Sequence, residues 1–284
     1  MQATQECLAC LHKQARRTIL HHIKTQAHIT LPIPQAPPSC PPPKLAIDVY
    51  RAIGDFVAKM DLYHDQKIAS IQKAKIALEQ IKAHTDMPHT LESAIKLAAL
   101  GNIIDYGSAD EFDIESCLFD MDSMEFAIYD ISNLKQRLAS ARELVYIGDN
   151  AGEDVFDSEC IKLVMQLYPQ LKVYYFTRGA PIINDITLQD LRDNHSPILE
   201  ICEVVDSGVR SPGFLYDDAS AYARGLYDRA DVVLAKGMGN FECLEDKADP
   251  RVFLLFKIKC AVVANFLQHT QGKFVLKNLA PESI

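Results

Sequence analysis

A run of oxygen-bearing side chains follows directly on an apolar segment in the middle of the chain. The apolar residues 144–147 lead straight into Gly-Asp-Asn-Ala-Gly-Glu at 148–153. Buried strands of α/β proteins end in the crevice where ligands bind, and carboxylate and amide oxygens suit a hard divalent cation. We therefore expect the chemistry of this protein to lie at Asp149, Asn150 and Glu153.

Three further polar clusters follow apolar runs later in the chain. Because the carboxyl ends of parallel strands lie on the same edge of a sheet, we expect these clusters to share one crevice. Carboxylates that hold a cation, beside a glycine and lysine loop for anionic oxygens, are typical of metal-assisted phosphoryl chemistry. The clusters are Arg178 with Asn184-Asp185, then Asp206-Ser207, and finally Lys236-Gly237-Met238-Gly239-Asn240.

The pattern of apolar residues predicts the elements that position these clusters. Short β-type runs at 144–147, 173–176, 201–205, 232–234 and 252–256 alternate with helical segments. Such alternation indicates a mostly parallel, doubly wound sheet with helices on both faces. We predict a three-layer α/β/α core.

The first 140 residues have a different pattern of apolar residues. Their apolar residues recur at three and four, which is helical spacing, and residues 31–43 contain seven prolines that favour an extended strap. An acidic stretch follows at 110–122. We therefore divide the chain into an all-helical N-terminal region, 1–140, that includes the strap, and an α/β core, 141–284, that carries the metal site.

Composition limits the classes of protein that the chain can belong to. With 284 residues and 48% hydrophobic content, it can bury a large core. Its 29 Lys+Arg against 38 Asp+Glu give a net charge of −9, which argues against nucleic acid as a partner. The N-terminus lacks the pattern of a signal peptide and no run reaches membrane-helix length, so we expect a cytoplasmic protein with no membrane partner. In that compartment most of its eight cysteines are expected to be free, buried thiols.

Four motifs in this order resemble the domain of unknown function 89 family. They are residues 101–105 (GNIID), 148–153 (GDNAGE), 178–185 (RGAPIIND) and 235–242 (AKGMGNFE). The family comprises metal-dependent damage-control phosphatases and includes proteins described as protein-glutamate O-methyltransferases. The resemblance covers nearly the whole chain, and Cys7-x-x-Cys10 is typical of its shorter prokaryotic members.

The resemblance implies an activity and a set of site residues. It implies a divalent cation, Mn, Co, Ni or Mg, on Asp149, Asn150 and Asp185, and a small phosphorylated metabolite as the substrate. It also places Asn102 at the rim of the pocket. Together with the polar clusters, the expected substrate contacts are Asn102, Glu153, Arg178, Asn184, Asp206, Ser207, Lys236, Gly237, Gly239 and Asn240.

From these residues we expect a metal-dependent phosphomonoester hydrolase. The cation stabilises charge on the phosphoryl group, while Lys236 and the N–H groups of Gly237 and Gly239 bind the remaining oxygens. Asp149 is also a candidate nucleophile, since aspartyl-phosphate chemistry has precedent. We favour direct attack by a water bound to the cation.

Simpler interpretations stay open for several of these residues. An Asp-Asn-Ala-Gly turn after a strand is often only a turn and helix cap, and Arg178 suits a structural ion pair as well as a phosphate contact. Cys7 and Cys10 fit two structural thiols one turn apart better than a zinc site. The rival functions are an S-adenosylmethionine-dependent carboxyl methyltransferase and a non-catalytic metal- or metabolite-binding module.

Overall fold

A computed structural model of the chain describes residues 1–23, 29–84, 89–102 and 124–280. The acidic stretch at 110–122 and residues 103–105 of the first motif lie outside the described residues. Within the described ranges, no helix is both long enough and apolar enough to cross a membrane.

Seven strands form one sheet in the order β1-β7-β6-β5-β2-β3-β4. Neighbouring strands of the sheet are parallel except for β6 and β7, which are antiparallel. This confirms the prediction of a mostly parallel sheet. The strands are β1 Phe126–Tyr129, β2 Glu143–Ile147, β3 Lys172–Thr177, β4 Glu203–Asp206, β5 Val232–Lys236, β6 Val252–Lys257 and β7 Phe274–Asn278.

Helices cover both faces of the sheet, as predicted for a three-layer core. Apolar residues of α3 to α8 pack on one face, and those of α9 to α11 pack on the other. The described helices are α1 Gln5–Ile23, α2 Pro42–Val57, α3 His64–His84, α4 Leu91–Leu100, α5 Ile131–Ser140, α6 Glu153–Leu167, α7 Leu188–Asp193, α8 Ile198–Ile201, α9 Ala221–Arg229, α10 Met238–Leu244 and α11 Ala261–Leu267.

Alternation along the strands decides which face each side chain reaches. In β5, Val232 and Leu234 join the core beneath α4 and α6, while Val233 and Ala235 join the opposite core. Since side chains alternate along a strand, the next residue, Lys236, points toward α4 and α6 as well. This direction determines its partners in the site.

The N-terminal region contributes both to the layers and to a separate cluster. Helices α1 and α2 pack on each other, and Ile182 from the loop after β3 joins their apolar cluster. Helices α3 and α4 instead belong to one of the two layers on the sheet. Strand β1 also joins the sheet although it precedes residue 140, where we expected only helices. The proposed boundary at 140 remains a prediction.

Candidate metal and phosphate site

The site lies where the order of the strands changes direction. From β2 the chain passes to β3 and β4 on one side, and then returns to β5 and β6 on the other side. The crevice between the carboxyl ends of β2 and β5 is therefore a topological switch point, where open α/β sheets bind ligands. Gly237, after β5, has φ of 88°, and a Cβ there would overlap the carboxylate of Asp149, after β2. Only glycine allows this approach.

Asp149, Asn150 and Asp185 meet at this edge. The loops after β2 and β3 run side by side, with an isolated bridge between Asn150 and Asp185. The Ile186 N–H donates to the Asp149 carbonyl at 2.9 Å, and the Ala151 N–H donates to the Asn184 carbonyl at 2.9 Å. Backbone hydrogen bonds thus bring together the three residues that we predicted as metal ligands.

Neighbouring groups orient the oxygens of these three side chains. Asn150 Nδ2 donates to Asp149 Oδ2 at 2.9 Å and to Glu153 Oε1 at 2.8 Å, which leaves the amide oxygen to accept from another group. Arg178 Nε donates to Asp185 Oδ2 at 2.7 Å, and its Nη2 lies 3.9 Å from Asp149 Oδ1. Two carboxylates and an amide oxygen suit a hard divalent cation.

Burial makes these carboxylates costly to ionise without a cation. Asp149 and Asp185 are 7% and 3% exposed. Burial, and then the charges of Glu153 and Asp185, raises the pKa of Asp149 well above its ordinary value. Burial also raises the pKa of Asp185 to about 6, although Arg178 opposes the shift. A bound cation would relieve this repulsion, so the residues present fit a divalent ion. The described residues contain no group of three His, Cys, Asp or Glu ligands, and the amide of Asn150 would be the third donor here.

Lys236 does not occupy the place that we predicted for it. Its side chain is fully buried on the α4 and α6 side of the sheet, where Nζ donates to Asp157 Oδ1 at 2.7 Å and to the Ala98 carbonyl at 2.8 Å. Nζ also lies 2.9 Å from Glu153 Oε2, an ion pair without hydrogen-bond alignment. Burial lowers the pKa of Lys236, but Asp157 and Glu153 raise it above its ordinary value. These contacts do not support Lys236 as a phosphate ligand, because its charge already neutralises buried carboxylates.

Glu153 and Asn102 lie behind Asn150. Glu153 is 1% exposed, and Asn102 Nδ2 donates to its Oε1 at 2.7 Å. Burial raises the pKa of Glu153, but Lys236, Lys259 and the hydrogen bond from Asn150 outweigh it and hold this pKa below its ordinary value. Glu153 is therefore an ionised acceptor that orients Asn150. Neither residue lines the cavity described next, so the structure gives no support for direct substrate contact.

A cavity of about 440 Å³ opens onto the predicted metal ligands. Of the residues predicted from sequence, it is lined by Asp149, Asn150, Asn184, Asp185 and Gly239. Of the described residues that line it, Lys259 alone carries a positive charge, and this charge lowers the pKa of Asp149 and of Glu153.

Sequence reasoning missed Lys259, although a signal for it was present. It follows β6, which is parallel to β5, so the chain leaves β6 at the same edge of the sheet. Its place two residues after β6 is therefore the signal that groups Lys259 with the other polar residues that follow strand ends.

The remaining predicted residues support the site from outside the cavity. The Gly237 N–H donates to the Leu255 carbonyl at 2.9 Å, so it is not available to a ligand. Asn240 Oδ1 accepts from the Phe214 N–H at 2.7 Å and from Arg178 Nη2 at 3.4 Å, which ties Arg178 in place. These contacts favour a structural ion pair for Arg178 over a phosphate contact, the other role that we left open for it.

Two further predicted residues lie outside the cavity at the end of the edge strand β4: Asp206 is its last residue, and Ser207 follows it. Asp206 is exposed, and its Oδ1 accepts from the Gly208 N–H at 2.8 Å. Ser207 is buried, and its Oγ accepts from the Val209 N–H at 3.2 Å. Both side chains stabilise the turn after β4, and the structure gives no support for them as substrate contacts.

This fold and this donor set define an α/β protein with a cavity at the carboxyl edge of its sheet, beside oxygen atoms suited to a divalent cation. The chain belongs to the damage-control phosphatase ARMT1-like domain family, whose model matches residues 3–275. It is 29% identical to the damage-control phosphatase PH1575 of Pyrococcus horikoshii, over 97% of each chain. It is 28% identical to a damage-control phosphatase of Archaeoglobus fulgidus, over 82% of this chain and 81% of that protein.

A solved structure shares the whole fold. The crystal structure of the DUF89 family protein PH1575 from Pyrococcus horikoshii superposes with a TM-score of 0.82 at 26% identity. The match covers 98% of this chain and 99% of that chain. The resemblance inferred from the four sequence motifs is confirmed at the level of family and fold.

Proposed function

We propose that the protein is a metal-dependent phosphatase that hydrolyses phosphate monoesters of small metabolites. Its family and two relatives named damage-control phosphatases support the phosphatase activity. The observation that carries the proposal is the pair of buried carboxylates, Asp149 and Asp185, which open with Asn150 onto a cavity that also receives Lys259. The cavity lies within the size range of small-molecule sites.

Asp149, Asn150 and Asp185 would hold the cation, for which Mn, Co, Ni and Mg are the candidates. When bound, the cation supplies positive charge against the negative charge that develops on the phosphoryl group. Lys259 binds phosphate oxygens in the role that we first gave to Lys236. Of the predicted glycine loop, Gly239 remains at the cavity wall.

Contacts to Asp149 favour a ligand role over a nucleophilic one. Its Oδ2 accepts from Asn150 Nδ2, while its Oδ1 faces Arg178 Nη2. One oxygen is thus held by a hydrogen bond, and the positive charge of Arg178 attracts the other. We therefore keep direct attack by water as the proposed route.

A panel assay tests the proposal. Protein stripped of metal is incubated with phosphate monoesters and each of Mg, Mn, Co and Ni, and released phosphate is measured for the wild type and Asp149→Ala. We expect release that needs both the metal and Asp149. Methyl transfer from labelled S-adenosylmethionine without phosphate release would contradict the proposal, and so would binding of the esters without turnover.

A further inference from the structure

The cavity has a second lining that the proposed phosphate chemistry does not use. Three thiols and two carboxylates line it together with the metal ligands, and we call this set the acidic wall. Two helices, α1 and α10, and the residue before α11 supply it. Its members are Glu6, Cys7, Cys10, Glu242 and Cys260.

Electrostatic effects place Lys259 and Glu242 near different groups. The charge of Lys259 lowers the pKa of Asp149, so this lysine lies toward the end of the cavity where phosphate would bind. Burial, then Cys7 and then Glu242, raises the pKa of Cys10. The carboxylate of Glu242 therefore lies toward the end of the cavity that the cysteines line.

Glu242 is a partly buried carboxyl group with no ion-pair partner among the described residues. The amine of Met1 donates to its backbone carbonyl at 2.6 Å but forms its ion pair with Glu245, at 2.7 Å. Burial raises the pKa of Glu242 to about 7, and the amine opposes the shift. Above that pH the cavity thus contains a carboxylate that has no ion-pair partner among the described residues.

The rest of the lining around this wall is largely apolar. It includes Leu11, Pro43, Leu45, Ala261 and Val262. Hydrocarbon surface next to an unpaired carboxylate accepts a neutral group or a cation, whereas a second anion would be desolvated beside a like charge. Because Lys259 would bind the phosphate, no other lysine or arginine among the described lining residues would neutralise a second anion.

We propose that the acidic wall receives the organic part of the phosphate ester and that Glu242 selects uncharged or cationic groups over carboxylates. The inference rests on the proposed phosphatase function and names the substrate class of the same cavity: monophosphates whose organic part carries no acidic group. At a separation of about 6 Å and an effective dielectric constant of about 40, one repelling carboxylate weakens binding about tenfold.

Binding of two matched phosphonates tests this without requiring turnover. Phenylphosphonate and 4-carboxyphenylphosphonate are titrated into Mn-loaded protein by calorimetry at about pH 8.5, where Glu242, with its pKa of about 7, is ionised. We expect the uncharged ligand to bind about ten times more tightly, and Glu242→Gln to remove most of this preference without weakening phenylphosphonate. Glu200→Gln, an exposed position on α8 outside the cavity, should leave the preference unchanged.

The outcomes separate this inference from the proposed function. Equal affinities in the wild type, no binding of either ligand, or an unchanged preference in Glu242→Gln of wild-type melting temperature would overturn the role of Glu242. If the preference holds but no phosphate monoester is hydrolysed with any of the four metals, the binding subsite stands and the phosphatase proposal fails.

Discussion

Replacing Lys236 with methionine should destabilise the protein strongly, because the lysine neutralises a buried cluster. Its Nζ lies 2.7 Å from Asp157 and 2.9 Å from Glu153, and both carboxyl groups are at most 1% exposed. Lys236→Met keeps the length of the side chain but leaves these two groups without their cation. Removing one partner of a buried ion pair costs about 3–5 kcal/mol. That is a large share of a typical unfolding free energy of roughly 5–15 kcal/mol.

Denaturant unfolding of Lys236→Met measures this cost, and Lys135→Met is its matched control. Lys135 pairs with Glu92 at 3.6 Å on the surface, where the two side chains are 62% and 41% exposed. Exposed pairs contribute about 0–1 kcal/mol, so the control should unfold almost as the wild type does.

A second substitution distinguishes charge from packing. Asp157→Asn in the Lys236→Met background removes one of the unpaired carboxylates, so it should recover part of the lost stability. If Lys236→Met unfolds like Lys135→Met and only raises KM for a phosphate ester, Lys236 is a substrate ligand and our placement of it is wrong.

Three further predictions concern the site and its surroundings. Asp185→Asn should weaken metal activation by at least about 10–100-fold in protein that is still folded, and it should also lower the melting temperature, because buried Arg178 loses its ionised partner; undiminished activation would exclude Asp185 as a ligand. Lys259→Ala should raise KM for a phosphate ester about tenfold, whereas Lys257→Ala, outside the cavity lining, should not; equal effects would remove Lys259 from the phosphate site. Burial raises the pKa of Asp154 from 3.8 to about 6, so the folded protein prefers the neutral form of this carboxyl group. The stability that this preference contributes is lost as pH rises through about 6. Between about pH 4 and pH 7, wild-type stability should therefore fall by up to about 3 kcal/mol relative to Asp154→Asn, as measured by denaturant unfolding, and parallel pH profiles would refute this.

The sequence predicted the centre of the sheet well because its central strands are apolar runs. Strands β2, β3, β5 and β6 lie where the runs were found, while β4 begins at Glu203 because Ile201 ends helix α8. Strands β1 and β7 were missed. They pair with each other, so β1 depends on a partner that is far away in the sequence.

The arrangement of the candidate site was predicted in part, because residue type indicates a candidate ligand but not the direction of its side chain. Asp149, Asn150 and Asp185 follow strand ends and meet as expected. Lys236 is instead the last residue of β5, so strand alternation turns it into the core beneath α4 and α6. Lys259 fills the cavity position in its place. Alternation within β5 was readable in the sequence, whereas the acceptors that hold Lys236 come from α4 and α6 and become visible only in the folded chain.

Anomalous diffraction from crystals soaked in Co²⁺ tests the central claim most directly. The claim is that Asp149, Asn150 and Asp185 form the cation site, and it predicts the strongest anomalous peak within bonding distance of all three side chains. Co²⁺ is a candidate ion that nitrogen, oxygen and sulfur ligands can all bind, so the cavity's own thiols compete in the same experiment. A strongest peak at Cys7, Cys10 and Cys260, or no peak beside Asp149 and Asp185, would contradict it.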